Sequence, residues 1–96
     1  MSPDKKNKLN KLRIKLDRID DQLLKLLKKR TELVKKVLAL KKYKKQIVDK
    51  KRIKIILKRI KEKSLASKID TKVTNYIWTN MIKAYIDYER RNFKKK

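Results

Sequence analysis

The chain has no cysteine, no histidine and no glycine, and its single proline is Pro3. Without cysteine, neither a disulfide framework nor a thiolate metal site can form. Without histidine, the commonest general base and metal ligand of enzymes is missing. With no glycine, and no proline beyond Pro3, nothing past the N-terminus breaks a helix outright. No apolar run approaches the roughly 20 residues that span a bilayer. The stretch Met1 to Asn10 is polar and lysine-rich with no hydrophobic signal core, so a cytoplasmic protein is expected. Acidic residues are scarce as well: 10 Asp and Glu against 33 Lys and Arg give a formal charge of +23. Clustered basic side chains would neutralise phosphates. Here, however, the lysines are spread over every segment and interspersed with apolar residues, which reads as solvated lysine faces. That pattern argues against nucleic acid as a partner, while still drawing small anions toward the protein.

At 96 residues the chain amounts to one domain at most, and a chain of this size buries only a modest fraction of its surface alone. Residues 1–8 read as a disordered polar lead. Apolar residues then recur at Leu9, Leu12, Leu16, Ile19, Leu23 and Leu26, and again at Leu33, Val37 and Leu40. The steps alternate three and four, which is a heptad seam and not a strand pattern. One helix over about 8–43 follows, some 50 Å long at about 1.5 Å per residue. Two shorter helices cannot cover such a seam, so a second chain is expected. The segment Tyr43 to Val48 breaks the period and reads as a loop. Asp49 is a good N-cap for a second helix over about 50–64, with Ile53, Ile56, Leu57 and Ile60 inward. After a break at Ser64 to Lys68, Asp70 caps a third helix over about 71–91, with Ile77, Trp78, Met81, Ile82 and Tyr85 inward. A basic tail over 92–96 frays. The expected organisation is all-α, with a helical domain over 9–91.

One residue does not fit the seam. Between Leu26 and Leu33 the inward position is Arg30, and a guanidinium there is costly unless an anion meets it. A buried ion pair or a register-fixing polar residue would explain it equally well. Lys41 follows 11 residues later, about three turns on and roughly 16 Å away on the same face. Arg13 is 17 residues before Arg30, about 25 Å away and rotated off that face. If two copies paired their long helices antiparallel, Arg13 of one would come near Arg30 of the other, twice by symmetry.

The stretch Leu12 to Arg30, with Arg13, the Ile19-Asp20 pair, the Leu23-Leu24 run and Arg30 at fixed spacing, resembles the first helix of all-helical chorismate mutases. Lys41 falls where that family keeps its catalytic lysine, and Asp49 followed by Arg52 looks like the start of its second helix. The likeness extends from about Leu12 to Glu89. It implies an intertwined antiparallel homodimer of three-helix chains that rearranges chorismate to prephenate in the shikimate pathway, toward aromatic amino acids. It also implies that Arg30, Arg52 and Arg13 of the partner chain hold the two carboxylates of the substrate, a task the guanidinium fork suits. Lys41 would donate to a carboxylate and the ether oxygen, and Asp49 would belong to the binding set. Such a Claisen rearrangement needs no metal, cofactor or nucleophile, because positioning and fixed electrostatics suffice.

Glu89 sits where the family places a glutamine, or less often a glutamate, facing the ether oxygen. An ionised glutamate has no proton to give, so activity is expected to fall as pH rises, and Glu89→Gln to flatten the profile. Two positions depart from the mutase pattern. Ile53 stands where mutases carry a glutamate for the ring hydroxyl, and Tyr85 where a small polar residue is common. Both resemble isochorismate-pyruvate lyases, relatives on the same fold that form salicylate. Read as residues alone, Ile53 and Tyr85 also satisfy core periodicity. A basic helical protein whose role is binding is the remaining, non-catalytic alternative.

Overall fold

The computed structural model describes residues 2–94. Three α-helices account for most of them: α1 (Pro3–Leu40), α2 (Lys50–Ala66) and α3 (Thr71–Asn92), with a 3-10 turn at Lys44–Gln46 between the first two. The all-helical class and the very long first helix are as the heptad pattern predicts.

The helix starts differ at one place. α1 begins at Pro3, so residues 3–8, expected to be disordered, are helical. Proline at the first helical position has the right φ and loses no hydrogen bond there. Ser2 supplies the cap: the Lys5 amide donates to its Oγ at 3.3 Å, and the Lys6 amide to its carbonyl at 2.9 Å. A periodicity count overlooks this because the lead carries no apolar residue before Leu9. At the other end α1 stops at Leu40, three residues before the expected limit. Gln46 explains the stop, since its Oε1 accepts from the Lys42 and Tyr43 amides, both at 2.8 Å. α2 and α3 run to Ala66 and Asn92, close to expectation. Of the tail expected over 92–96, Phe93 and Lys94 lie beyond α3, and residues 95–96 fall outside the described residues.

Two compact units make up the chain, one up to Leu33 and the other from Val34 onward. The first is helix alone. Its seam is open: Leu12, Leu16, Ile19, Leu23, Leu26 and Leu33 are each 51–60% exposed.

The second unit holds the end of α1, the 3-10 turn, α2 and α3. Leu38, Ile47 and Ile82 are its buried apolar residues, ringed by half-buried Ile53, Ile56, Leu57, Ile60, Trp78, Met81 and Tyr85. Ile77, expected inward, is 48% exposed instead. It follows α3 around to a flank that α2 does not cover.

The α2–α3 corner turns without glycine. Lys68 takes a left-handed conformation at φ 56°, and the Ile69 amide returns to the Ser64 carbonyl at 2.8 Å while the Lys68 amide reaches Leu65 at 3.2 Å. This is the helix-ending arrangement usually given to glycine, and a side chain there costs about 1–2 kcal/mol. Asp70 then caps α3, accepting from the Lys72 amide at 2.8 Å.

A hydroxyl pair links the two helices just above this corner. Ser64 Oγ donates to the Ile60 carbonyl at 2.6 Å, leaving Thr74 Oγ1 to donate to Ser64 Oγ at 2.8 Å. Both residues are buried. Ser64→Ala is therefore expected to leave the Thr74 hydroxyl with only the Thr71 carbonyl at 3.4 Å and cost about 1 kcal/mol, read as a lower urea midpoint with unchanged slope. An unchanged midpoint would mean that the pair adds nothing to α2–α3 packing.

Candidate active site

Two of the sequence-predicted residues meet directly. Lys41, just past the end of α1, donates from Nζ to Oε1 of Glu89 near the end of α3, at 2.9 Å. The Glu89 side chain is 8% exposed and that of Lys41 18%. Their meeting joins residues 48 apart in sequence. The cause is the turn at the end of α1: the Lys41 amide closes onto the Leu38 carbonyl at 3.0 Å, while Leu38 itself is buried. Such a pair, mostly withdrawn from water, is strongly destabilising to break one-sidedly, because the remaining charge keeps its desolvation cost. By contrast, the Arg91–Asp87 pair at 2.8 Å has side chains 64% and 68% exposed. It contributes only a few tenths of a kcal/mol.

Beside Lys41 lies a solvent-open depression of about 570 Å³, lined by Lys41, Gln46, Val48, Asp49, Lys50 and Lys51. Asp49 is thus brought to the same place as Lys41. Part of its carboxylate is already engaged, because Oδ1 caps α2 by accepting from the Arg52 amide at 3.0 Å. The Arg52 side chain is exposed and Ile53, one position on, is half-buried with no polar side-chain atom. Tyr85 is half-buried one turn before Glu89 on α3. Its ring meets Tyr88 edge-on, centroids 6.4 Å apart at 73°.

Arg13 and Arg30 belong to the first unit, on α1. Arg13 is exposed and Arg30 half-buried.

Sequence reasoning overlooked Gln46, Val48, Lys50 and Lys51 as wall residues of the depression. Gln46 had a readable signal, a glutamine three residues after Tyr43 at the start of a short turn. The lysines had none, being two of many. Among the described residues, no three His, Cys, Asp or Glu side chains gather as a metal site would require. No described helix is long and apolar enough to cross a membrane.

A second groove, about 480 Å³, opens between α2 and α3, with Leu57, Ile60, Thr71 and Thr74 in its walls and Lys58 and Lys61 at its edge. It contains none of the predicted site residues, and its chemistry is mainly that of an uncovered core. The Lys41 depression is the one that joins a buried ion pair to a cluster of polar groups.

Residues 12–90 match the family model described as chorismate mutase type II. Neither the curated proteins nor the solved structures yield a match.

Proposed function

We propose, on the premise that the chain belongs to the chorismate mutase type II family, that the depression beside Lys41 is where it rearranges chorismate to prephenate. The enzyme is an isomerase, and its reaction moves no group between molecules. A bond between the ether oxygen and carbon breaks while a carbon–carbon bond forms, and partial negative charge builds on the oxygen. The chain must therefore hold the substrate folded and meet that charge with donors already in place.

The Lys41–Glu89 contact is the observation that carries this reading. An ammonium has three donors, and Glu89 takes one, leaving two for a carboxylate and the ether oxygen. Glu89 holds the ammonium beside the depression. Only in its protonated form can it donate as well. Arg52 and Arg30, with Arg13 from a second copy, supply the guanidinium forks for the two carboxylates. Asp49 orders the first turn of α2, on which Arg52 rides. Ile53 and Tyr85, which do not line the depression of the single chain, are the residues expected to face the ring.

A homodimer with antiparallel α1 helices completes the site. Support comes from the open seam of Leu12 to Leu33, a face that water leaves unfavourable at about 1–2 kcal/mol for each large side chain. The uncovered groove between α2 and α3 is a matching apolar surface. The natural place for such an enzyme is the cytoplasm.

Two assays test the reading. Purified protein offered chorismate should form prephenate, and offered isochorismate it should form no salicylate or pyruvate. Salicylate from the second and no prephenate from the first would replace the mutase with a lyase. Arg30→Ala should then lower kcat/KM by at least about 10²-fold, the scale of losing one well-placed charged donor, with helix content by circular dichroism unchanged. Collapse of the helical signal would instead assign Arg30 to the fold.

A further inference from the structure

Lys50 and Lys51 line the depression but have no part in the reading above. In the ligand-free chain Lys41 is matched by Glu89 at 2.9 Å, so to an approaching anion the pair is nearly neutral. Asp49 adds a negative charge on the same wall. Lys50 and Lys51 line the same depression and are exposed, so they add positive charge where a substrate bearing two carboxylates enters.

Their position is unfavourable for α2 itself. Both sit in its first turn, which contains no acidic residue, and cations there oppose the helix dipole. The Asp49 cap suffices to start the helix. Helix formation thus gives no reason for lysine at 50 and 51, whereas capture of an anion does.

We infer that Lys50 and Lys51 form an electrostatic capture pair at the mouth of the active site, drawing the dicarboxylate substrate in before Lys41 and Arg52 engage it. The inference rests on the mutase reading above. The two ammoniums act on encounter and not on the rearranging atoms, so they are positioning residues and raise kcat/KM without changing kcat. Exposed charges are strongly screened by salt, the Debye length being about 8–10 Å in ordinary buffer. Their effect is therefore distinguishable from that of buried donors.

The test compares wild type, Lys50→Gln/Lys51→Gln, and a control with the same loss of charge at the start of α1, Lys5→Gln/Lys6→Gln. At low salt the first double variant should show a kcat/KM for chorismate lower by roughly five- to tenfold, as expected for local steering. Its kcat should stay within about twofold of wild type, and its thermal midpoint should not fall. At about 0.5 M salt the deficit should vanish, because the field is then screened within a few Å. The α1 control should track wild type throughout. An equal loss in the control would show that net charge acts, not this pair, and would overturn the inference. So would a deficit that persists at high salt, or one that resides in kcat. Calorimetric binding of prephenate to the same three proteins separates the two readings. Salt-sensitive binding that is lost in Lys50→Gln/Lys51→Gln, without turnover by wild type, would keep the capture pair and sink the mutase. Absence of binding by wild type would sink both.

Discussion

Glu89→Gln is expected to turn over chorismate at a rate nearly independent of pH, whereas the wild-type rate falls as pH rises. The sign follows from the donor inventory. A protonated carboxyl can donate to the ether oxygen, a carboxylate cannot, and an amide can at every pH. A carboxylate at Glu89 therefore lacks a donor that the amide of Glu89→Gln retains. Its neighbour behaves differently. Lys41→Ala is expected to lower kcat by about 10²–10³-fold at any pH, the usual loss for one donor placed at a developing oxyanion. The two changes also separate in stability. Losing Lys41 leaves the Glu89 side chain, 8% exposed, without its cation and should cost roughly 3 kcal/mol. The Glu89→Gln side chain still accepts from Lys41 Nζ and should unfold within about 1 kcal/mol of wild type. Rate–pH profiles and urea titrations of the three proteins decide the matter. Coincident profiles for wild type and Glu89→Gln would remove Glu89 from the proton inventory, and an active Lys41→Ala would remove Lys41 from the site.

Putting carboxylates on the α1 seam, as Ile19→Glu with Leu23→Glu, should yield a monomer with at least about 10²-fold less activity. Both side chains are 51% exposed in the single chain, so the substitution does not disturb a core that the chain makes alone. Glutamate is also as good a helix former as leucine, within a few tenths of a kcal/mol, so α1 persists. In a two-fold pair each change occurs twice, placing four new charges on a desolvated surface beside Asp17, Asp20 and Asp21. Unpaired buried charges cost several kcal/mol each, far more than an interface can absorb. On the proposed arrangement, loss of the second copy would take its Arg13 from the carboxylate site, and activity should fall with it. Sedimentation and turnover should be measured on the same samples. A double variant that stays dimeric would move the interface off this seam. A monomer that keeps its rate would show that one chain holds a complete site.

Much of the architecture is already present in the order of residue types. Alternating steps of three and four from Leu9 to Leu40 specify a helix and give it one sticky face, since side chains at those spacings share a side. Asp49 and Asp70 mark the next two starts because an aspartate just before an apolar-periodic run satisfies orphan amides, and both bonds are present. Periodicity was silent where no apolar residue signals, hence the helix from Pro3, and it placed inward an Ile77 that is exposed. The glycine-free corner at Lys68 was equally invisible, because a left-handed lysine follows from the path of α2 into α3 and not from any preference of its own.

The types and spacings of Arg13, Arg30, Lys41, Arg52 and Glu89 carry the family, and with it the chemistry, as far as one dimension allows. Order along the chain says nothing about which charges cancel. The tertiary structure decided that Lys41 and Glu89, 48 positions apart, form a 2.9 Å ion pair largely withdrawn from water, because burying Leu38 and turning the chain at Gln46 aims the end of α1 at the last turns of α3. It also decided that Lys50 and Lys51, indistinguishable in sequence from the chain's many other lysines, are the two at the mouth of the depression. Pair distances set electrostatic energies, and distances between remote residues come into being only when the helices pack.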